Sequence, residues 1–190
     1  GDRIPALTNS MGATMTVIAE GSVRLGGVEM GALELASGAT LDAAKVLTWL
    51  NTHKSANSLT YSARATNEIR ILPSSLSTTT GLLSLNGTTV HNSTAIGSVN
   101  ELVTSINAQA NNTNVEARID FDGSIILSNT PGNESNKIAF GNTAGVLTGI
   151  TGDYESSIVI ESSRGTAAVK VSTGVANTYA AGGYYLLKAD

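Results

Sequence analysis

The chain has 190 residues, enough for one ordinary domain or two small ones, and 41% of them are hydrophobic, 14% charged and 4% aromatic. The absence of cysteine excludes disulfide frameworks, thiolate metal sites and a cysteine nucleophile. A net charge of −4 with only 11 Lys and Arg removes the electrostatic basis for nucleic-acid binding, and no apolar run reaches the roughly 18 residues of a membrane span. We therefore expect neither nucleic acid nor a membrane as a partner.

Two similar units follow an N-terminal arm at residues 1–19. Each unit is predicted to run strand, turn, strand, helix, strand, turn, strand, and the two span residues 20–74 and 80–130. Gly26-Gly27 in the first unit and Asn86-Gly87 in the second lie between short alternating apolar segments, a pattern typical of two-residue β-hairpin turns. Each unit is thus expected to begin with a hairpin.

A short helix is predicted next in each unit. Asp42 and Ser98 stand at its start, and both side chains accept hydrogen bonds from first-turn amides. Glu101 follows Ser98 by three residues, which predicts a capping box in the second unit. The apolar positions that follow recur at helical spacing, including Leu50 and Ile106, so each helix has one face to bury against a sheet.

A second hairpin is predicted after each helix. At a constant offset of 56 residues, the alternating segments 59–63 and 69–71 fall on 115–119 and 125–127. Alternation on both sides of a short polar turn favours a hairpin, and Asp122-Gly123 is a typical turn pair. Residues 42–72 and 98–128 are therefore expected to have the same fold.

The C-terminal region, residues 131–190, does not repeat this pattern. Segments 157–160 and 167–171 are predicted to form a hairpin around Ser163-Arg164-Gly165. The fold class expected is therefore α+β and β-rich, with two tandem strand-strand-helix-strand-strand units and a C-terminal hairpin region. The tail carries an apolar run expected to contact the same assembly, as a homo-oligomer or with other subunits: Tyr184, Tyr185, Leu186 and Leu187.

The segment Asp120 to Gly123 has two interpretations. Asp120 and Asp122 could begin a calcium loop, but no closing carboxylate follows at the required spacing, and Asp122-Gly123 already accounts for a turn. Glu116 and Arg118, two residues apart on a strand, are interpreted as a surface pair rather than a catalytic pair. The turn is the preferred interpretation, and no metal site is predicted.

Other candidate side chains do not assemble into a catalytic set. His53 and His91 are expected in exposed loops, and no Ser/His/Asp group or phosphate-binding loop can be recognised. Trp49 could anchor a partner or cover the edge of a sheet, and the second role is preferred. The sequence predicts no catalytic residue, no cofactor site and no enzyme activity.

The segment from Ser98 to Ser128 resembles the IN motif of flagellins and flagellar hook-associated proteins. The resemblance is carried by Ile106-Asn107, Asp122-Gly123 and the alternating apolar strands on either side of that turn, and it is weaker in the first unit, where Leu50-Asn51 replaces Ile-Asn. In flagellar proteins this motif decorates outer, solvent-facing domains, and similar units occur in bacteriophage virion proteins and bacterial surface proteins. The resemblance therefore implies a structural or surface module without catalytic residues.

The function expected is a non-enzymatic structural subunit of a viral or extracellular assembly. A bacteriophage virion protein of the head, neck or tail is the first expectation, which places the chain in the virion or on an extracellular surface. A flagellar or adhesin outer domain is the alternative within the same class. A glycan-binding surface module is the alternative from another class, since a neutral surface rich in hydroxyl and amide groups suits sugars.

Overall fold

The computed structural model describes residues 3–4, 7–78, 80–162, 165–166, 169–171 and 188–189. These residues form two compact units. The first unit comprises the described residues of Gly1–Thr66 and Glu155–Asp190, and the second unit is Asn67–Tyr154. The second unit is therefore an insertion in the sequence of the first.

The first unit contains one helix and nine short strands among its described residues. Before the insertion it forms β1 Met15–Ile18, β2 Val23–Leu25, β3 Val28–Glu29, β4 Leu33–Leu35, α1 Ala43–Ala56 and β5 Ser62–Thr66. After the insertion it forms β13 Ser157–Ser162, β14 Gly165–Thr166, β15 Val169–Val171 and β16 Lys188–Ala189. The intervening numbers belong to the second unit, whose described elements are β6 Glu68–Ile71, β7 Gly81–Leu85, β8 Thr88–Thr94, α2 Val99–Ala108, α3 Ala110–Thr113, β9 Val115–Ile119, β10 Ile125–Asn129, β11 Ile138–Asn142 and β12 Gly152–Tyr154. Two 3₁₀ turns lie at Pro73–Ser75 and Thr143–Gly145.

The first unit is built from three small sheets and helix α1, which packs against β5 and β13. Strand β1 pairs antiparallel with β4, β2 pairs with β3 and β15, and β13 pairs with β5, β14 and β16. Helix α1 begins where the Asp42 carboxylate accepts a hydrogen bond of 2.8 Å from the Lys45 amide, as predicted. Val46 and Leu50 on this helix are fully buried in the core. Tyr61 joins them, and its hydroxyl donates to the Leu50 carbonyl.

The second unit has two sheets and its own core. One sheet has the order β6-β10-β9 and the other the order β12-β11-β7-β8. The predicted hairpin at Asn86-Gly87 is confirmed, because β7 and β8 pair antiparallel across it. Helix α2 begins at Ser98, whose hydroxyl accepts from the Glu101 amide at 3.1 Å, while the Glu101 carboxylate accepts from Gly97, one residue before the cap. The predicted α+β, β-rich class is confirmed.

The predicted hairpin within residues 59–71 is wrong. Strand β5 pairs with β13, and β6 pairs with β10 of the second unit's sheet, so the two strands are not partners. Asn67, interpreted as part of a turn, is instead buried, and its Nδ2 donates to the Tyr154 carbonyl at 2.9 Å. Alternation correctly predicted both strands, but a strand's pattern does not specify its partner.

The correct counterpart of the β9–β10 hairpin is the β5–β13 pair. Ala63 and Arg64 of β5 lie opposite Ile160 and Val159, and Ala117 and Arg118 of β9 lie opposite Leu127 and Ile126. The second strands also match in sequence, Ser157-Ile158-Val159-Ile160 against Ser124-Ile125-Ile126-Leu127. The units are therefore nested in sequence rather than tandem, because the second unit is inserted between the two strands of the first unit's hairpin.

The equivalence of the two units shifts by two residues after the helix. Asp42 precedes Ser98 by 56 positions, whereas Ala63 precedes Ala117 by 54. The constant offset of the prediction therefore fails at the strands, because the chain from the helix cap to the strand is two residues longer in the first unit, with 21 positions from Asp42 to Ala63 and 19 from Ser98 to Ala117.

The observed units also differ from the predicted segments 1–19, 20–74, 80–130 and 131–190. Strand β1 of the N-terminal arm contributes the buried Val17 to the core of the first unit. Strands β11 and β12 of the C-terminal region complete the sheet that contains β7. The C-terminal hairpin is formed by β13 and β14, whereas β15 pairs with β2. The run from Tyr184 to Leu187 lies outside the described residues.

Candidate interaction surface of the second unit

The β9–β10 hairpin ends in a tight turn that presents an aromatic side chain. The Gly123 amide donates to the Asp120 carbonyl at 3.0 Å, and Gly123 has a φ of +83°, a conformation that favours glycine. The Asp122 carboxylate accepts from the Ser124 amide at 2.9 Å. Phe121 lies between these groups and is 97% exposed. The turn interpretation of Asp120 to Gly123 is thus confirmed, and its geometry places a phenyl ring in solvent.

Arg70 holds both acidic residues of the turn. Its guanidinium donates to Asp120 at 2.6 Å and to Asp122 at 3.2 Å. Arg70 belongs to β6, which pairs with β10 on the side opposite to β9. The hydrogen bond from Arg70 lowers the pKa of Asp120, and the hydrogen bond from the Ser124 amide lowers that of Asp122. We refer to Arg70, Asp120, Phe121 and Asp122 as the hairpin tip.

The carboxylates of the hairpin tip are thus engaged by a cation of the protein itself. Within the described part of the chain, no group of three or more His, Cys, Asp or Glu side chains is placed to hold a metal ion. The arrangement can orient a turn and display an aromatic ring, but it presents neither an activated nucleophile nor a general base.

Asn107 attaches the end of helix α2 to strand β9. Its Oδ1 accepts from the Ala117 amide at 2.8 Å and its Nδ2 donates to the Ala117 carbonyl at 3.0 Å, so the side-chain amide pairs with the strand as a neighbouring backbone would. Ile106, the preceding residue, is fully buried in the core. The Ile-Asn pair therefore performs two tasks, since one side chain packs under the sheet and the next binds its edge.

Residues 82–131 match the family model of the flagellin hook IN motif. This confirms the IN-motif resemblance read from the sequence. The IN motif spans strands β7 to β10 with both helices between them, and it contains Asn107 and three of the four residues of the hairpin tip. No curated protein sequence matches the chain.

The two histidines lie outside the hairpin tip, and their predicted exposure is wrong. His53 is part of α1, is buried, and its Nε2 lies 3.0 Å from the Leu25 carbonyl. His91 is part of β8, within the IN motif, is also buried, and its Nε2 lies 2.7 Å from the Thr94 carbonyl. Each imidazole is satisfied by a backbone carbonyl of its own unit, which is a structural role.

Two further candidates have structural partners. Trp49 is partly buried against the first core, and its indole N–H donates to the Gly31 carbonyl at 2.9 Å, which agrees with the covering role rather than a free anchor. Arg118 forms its ion pair with Glu68 on β6 rather than with Glu116, with 3.6 Å between the Arg118 Nη2 and the Glu68 Oε1. Diagonal pairing across the sheet replaces the expected pair along the strand.

Sequence reasoning missed Arg70 as a member of this surface. Arg70 lies outside the IN motif, and the predicted hairpin partner of its strand was residues 59–63. The alternation of Ile69, Arg70 and Ile71 indicates that Arg70 faces away from the core, but only the pairing of β6 with β10 brings it to the turn.

No helix of the described residues is both long and apolar enough to cross a membrane.

Proposed function

We propose that this chain is a non-enzymatic structural subunit of an extracellular assembly. The observation that carries the proposal is the IN motif, which covers the core hairpins and helix of the second unit and which is named for flagellin and hook. Among the specific assemblies considered, this match favours a flagellar outer domain. A bacteriophage virion and an adhesin remain the alternatives, and the motif's name gives them no direct support.

We propose that the chain has no enzyme activity, because its candidate reactive side chains form hydrogen bonds within the fold. Both histidines are buried against backbone carbonyls, and the acids of the hairpin tip are bound to Arg70. Catalytic bases must reach a substrate, and these groups are committed to the fold.

The hairpin tip is proposed as a contact surface toward another subunit of the same assembly. The phenyl ring of Phe121 is 97% exposed, and its burial by a neighbouring subunit would lower the free energy of the assembly. The Arg70 contacts hold the turn in one conformation, which lowers the entropy lost on binding. The run from Tyr184 to Leu187 is proposed as a second contact segment.

Two experiments test the proposal separately. Negative-stain electron microscopy and light scattering of the purified full chain over a range of concentrations should show ordered multimers, and a monomer at every concentration and salt condition would refute the assembly function. Phe121→Ser should weaken the association while leaving the circular dichroism spectrum unchanged. Met11→Ser, which alters a 54% exposed side chain of the first unit, is the matched control. Equal effects of the two substitutions would remove the hairpin tip from the proposal while leaving the assembly function standing.

A further inference from the structure

Strand β9 is an outer strand of its sheet. Its inner side pairs with β10, with Ala117 opposite Leu127 and Val115 opposite Asn129. The backbone groups of Val115 and Ala117 point away from β10, as their bonding partners demonstrate. An outer edge of this kind ordinarily offers its amides and carbonyls to a strand of another molecule.

Side chains of the same unit already occupy those backbone groups. The Ala117 amide and carbonyl are both bonded to the Asn107 side chain, at 2.8 and 3.0 Å. The Thr113 hydroxyl accepts from the Val115 amide at 3.0 Å and lies 3.3 Å from the Val115 carbonyl, to which it donates. Two side chains therefore satisfy two donors and two acceptors along the edge, and Thr113 is almost fully buried in doing so.

The strand is otherwise well suited to pair with a second copy of itself. If two β9 strands met antiparallel with Ala117 opposite Ala117, Glu116 of each copy would lie opposite Arg118 of the other. Opposite charges directly across a strand pair are favourable, and both side chains lie on the more exposed face of the sheet. The sequence of β9 thus favours self-pairing that the hydrogen bonds of Asn107 and Thr113 oppose.

We propose that Asn107 and Thr113 seal the β9 edge against strand addition by a second copy of this chain. The contacts between subunits are thereby restricted to side-chain surfaces such as the hairpin tip, and a sheet shared by two copies through β9 is avoided. This inference concerns which surface is closed to partners, so it holds whether or not the proposed assembly function is correct.

The chain contains no cysteine, so engineered thiols provide a clean test. Two single-cysteine proteins, Glu116→Cys and Arg118→Cys, are mixed in equal amounts under mild oxidation, and the mixed disulfide dimer is measured on a non-reducing gel. In the paired arrangement these two positions are directly opposite, within disulfide reach. With Asn107 and Thr113 intact, the mixed dimer should form slowly.

The same mixture is then prepared with Asn107→Ala and Thr113→Val in both proteins. The initial rate of mixed dimer formation should rise at least tenfold. Asn51→Ala is the matched control, because Asn51 holds the equivalent place after Leu50 in the first unit and is exposed. This control should leave the rate unchanged.

Equal rates with and without the two sealing substitutions would overturn the proposal, as would rapid cross-linking of the intact pair. Circular dichroism checks the fold of the double variant. If that variant unfolds, the comparison rests on Thr113→Val alone, which removes one hydroxyl while preserving the shape of the side chain. An unchanged rate in that folded single variant would equally refute the sealing role.

Discussion

Truncating Ile106 in the second unit should destabilise the first unit, whereas truncating Leu50 in the first should leave the second unaffected. This asymmetry follows from the nested topology. Thr66 and Ser157 are paired across the first unit's hairpin, and the chain between them is the second unit. While the second unit is folded, the hydrogen bond from Asn67 to the Tyr154 carbonyl keeps its two ends together, so the connection behaves as a short turn.

The size of the effect can be worked out in two steps. Ile106 is fully buried, so Ile106→Ala should cost the second unit about 2–5 kcal/mol. Once that unit unfolds, the link between Thr66 and Ser157 becomes a flexible loop of about 90 residues instead of one equivalent to about four, and the extra closure entropy costs the first unit about 3 kcal/mol. Leu50→Ala lowers the first unit's stability directly by a similar 2–5 kcal/mol but lengthens no loop in the second.

Trp49 provides the assay, because it is the only tryptophan of the chain and belongs to the first unit. Its fluorescence during urea unfolding follows the first unit, while hydrogen exchange of the β10 amides follows the second. Ile106→Ala should lower the urea midpoint of the Trp49 transition, and Leu50→Ala should leave β10 exchange unchanged. As a control, replacing residues 67–156 by Asn-Gly should preserve a cooperative Trp49 transition, because those two residues can close the β5–β13 hairpin.

Two results would contradict this coupling between the stabilities of the two units. If the β10 amides of Ile106→Ala exchange freely while the Trp49 midpoint stays at its original urea concentration, closure by the second unit contributes nothing. If the Asn-Gly variant fails to fold, the first unit is not the independent body that its separate core indicates.

Three further outcomes are expected. Millimolar calcium should leave the thermal midpoint unchanged, because Asp120 and Asp122 are bound to Arg70, and a shift of several degrees that Asp120→Asn abolishes would contradict the turn assignment. The pKa values of both acids are lowered in the folded state, so their contribution to stability is present above their ordinary pKa of 3.8 and is lost as the pH falls through the lowered folded values. Urea unfolding between about pH 2 and pH 5 should show this dependence in the wild type and less of it in Arg70→Met. Replacing Tyr184, Tyr185, Leu186 and Leu187 by serine, which leaves β16 in place, should weaken self-association in light scattering while circular dichroism stays unchanged, and global unfolding would instead show that this run belongs to the subunit's core.

The local elements of this protein could be predicted from its sequence. Asp42 and Ser98 begin helices because their side chains bind first-turn amides, a requirement met within four residues of chain. Asn86-Gly87 and Asp122-Gly123 turn the chain because both glycines adopt positive φ. The IN motif was recognisable for the same reason, since its helix, turn and hairpin are contiguous in sequence.

The partners of the strands required the tertiary structure. Strand β5 has an alternating pattern that fits any complementary edge, and its true partner β13 lies beyond an inserted unit with its own core. Nothing in a period of two distinguishes the nearby β6 from β13, which begins 91 positions after β5 ends. The reach of Arg70 to the hairpin tip likewise depends on the pairing of β6 with β10, and the burial of His53 depends on its contact with Leu25, 28 residues earlier in the chain. Local patterns therefore determined which segments are helix, strand or turn, and the packing of whole units decided which of them meet.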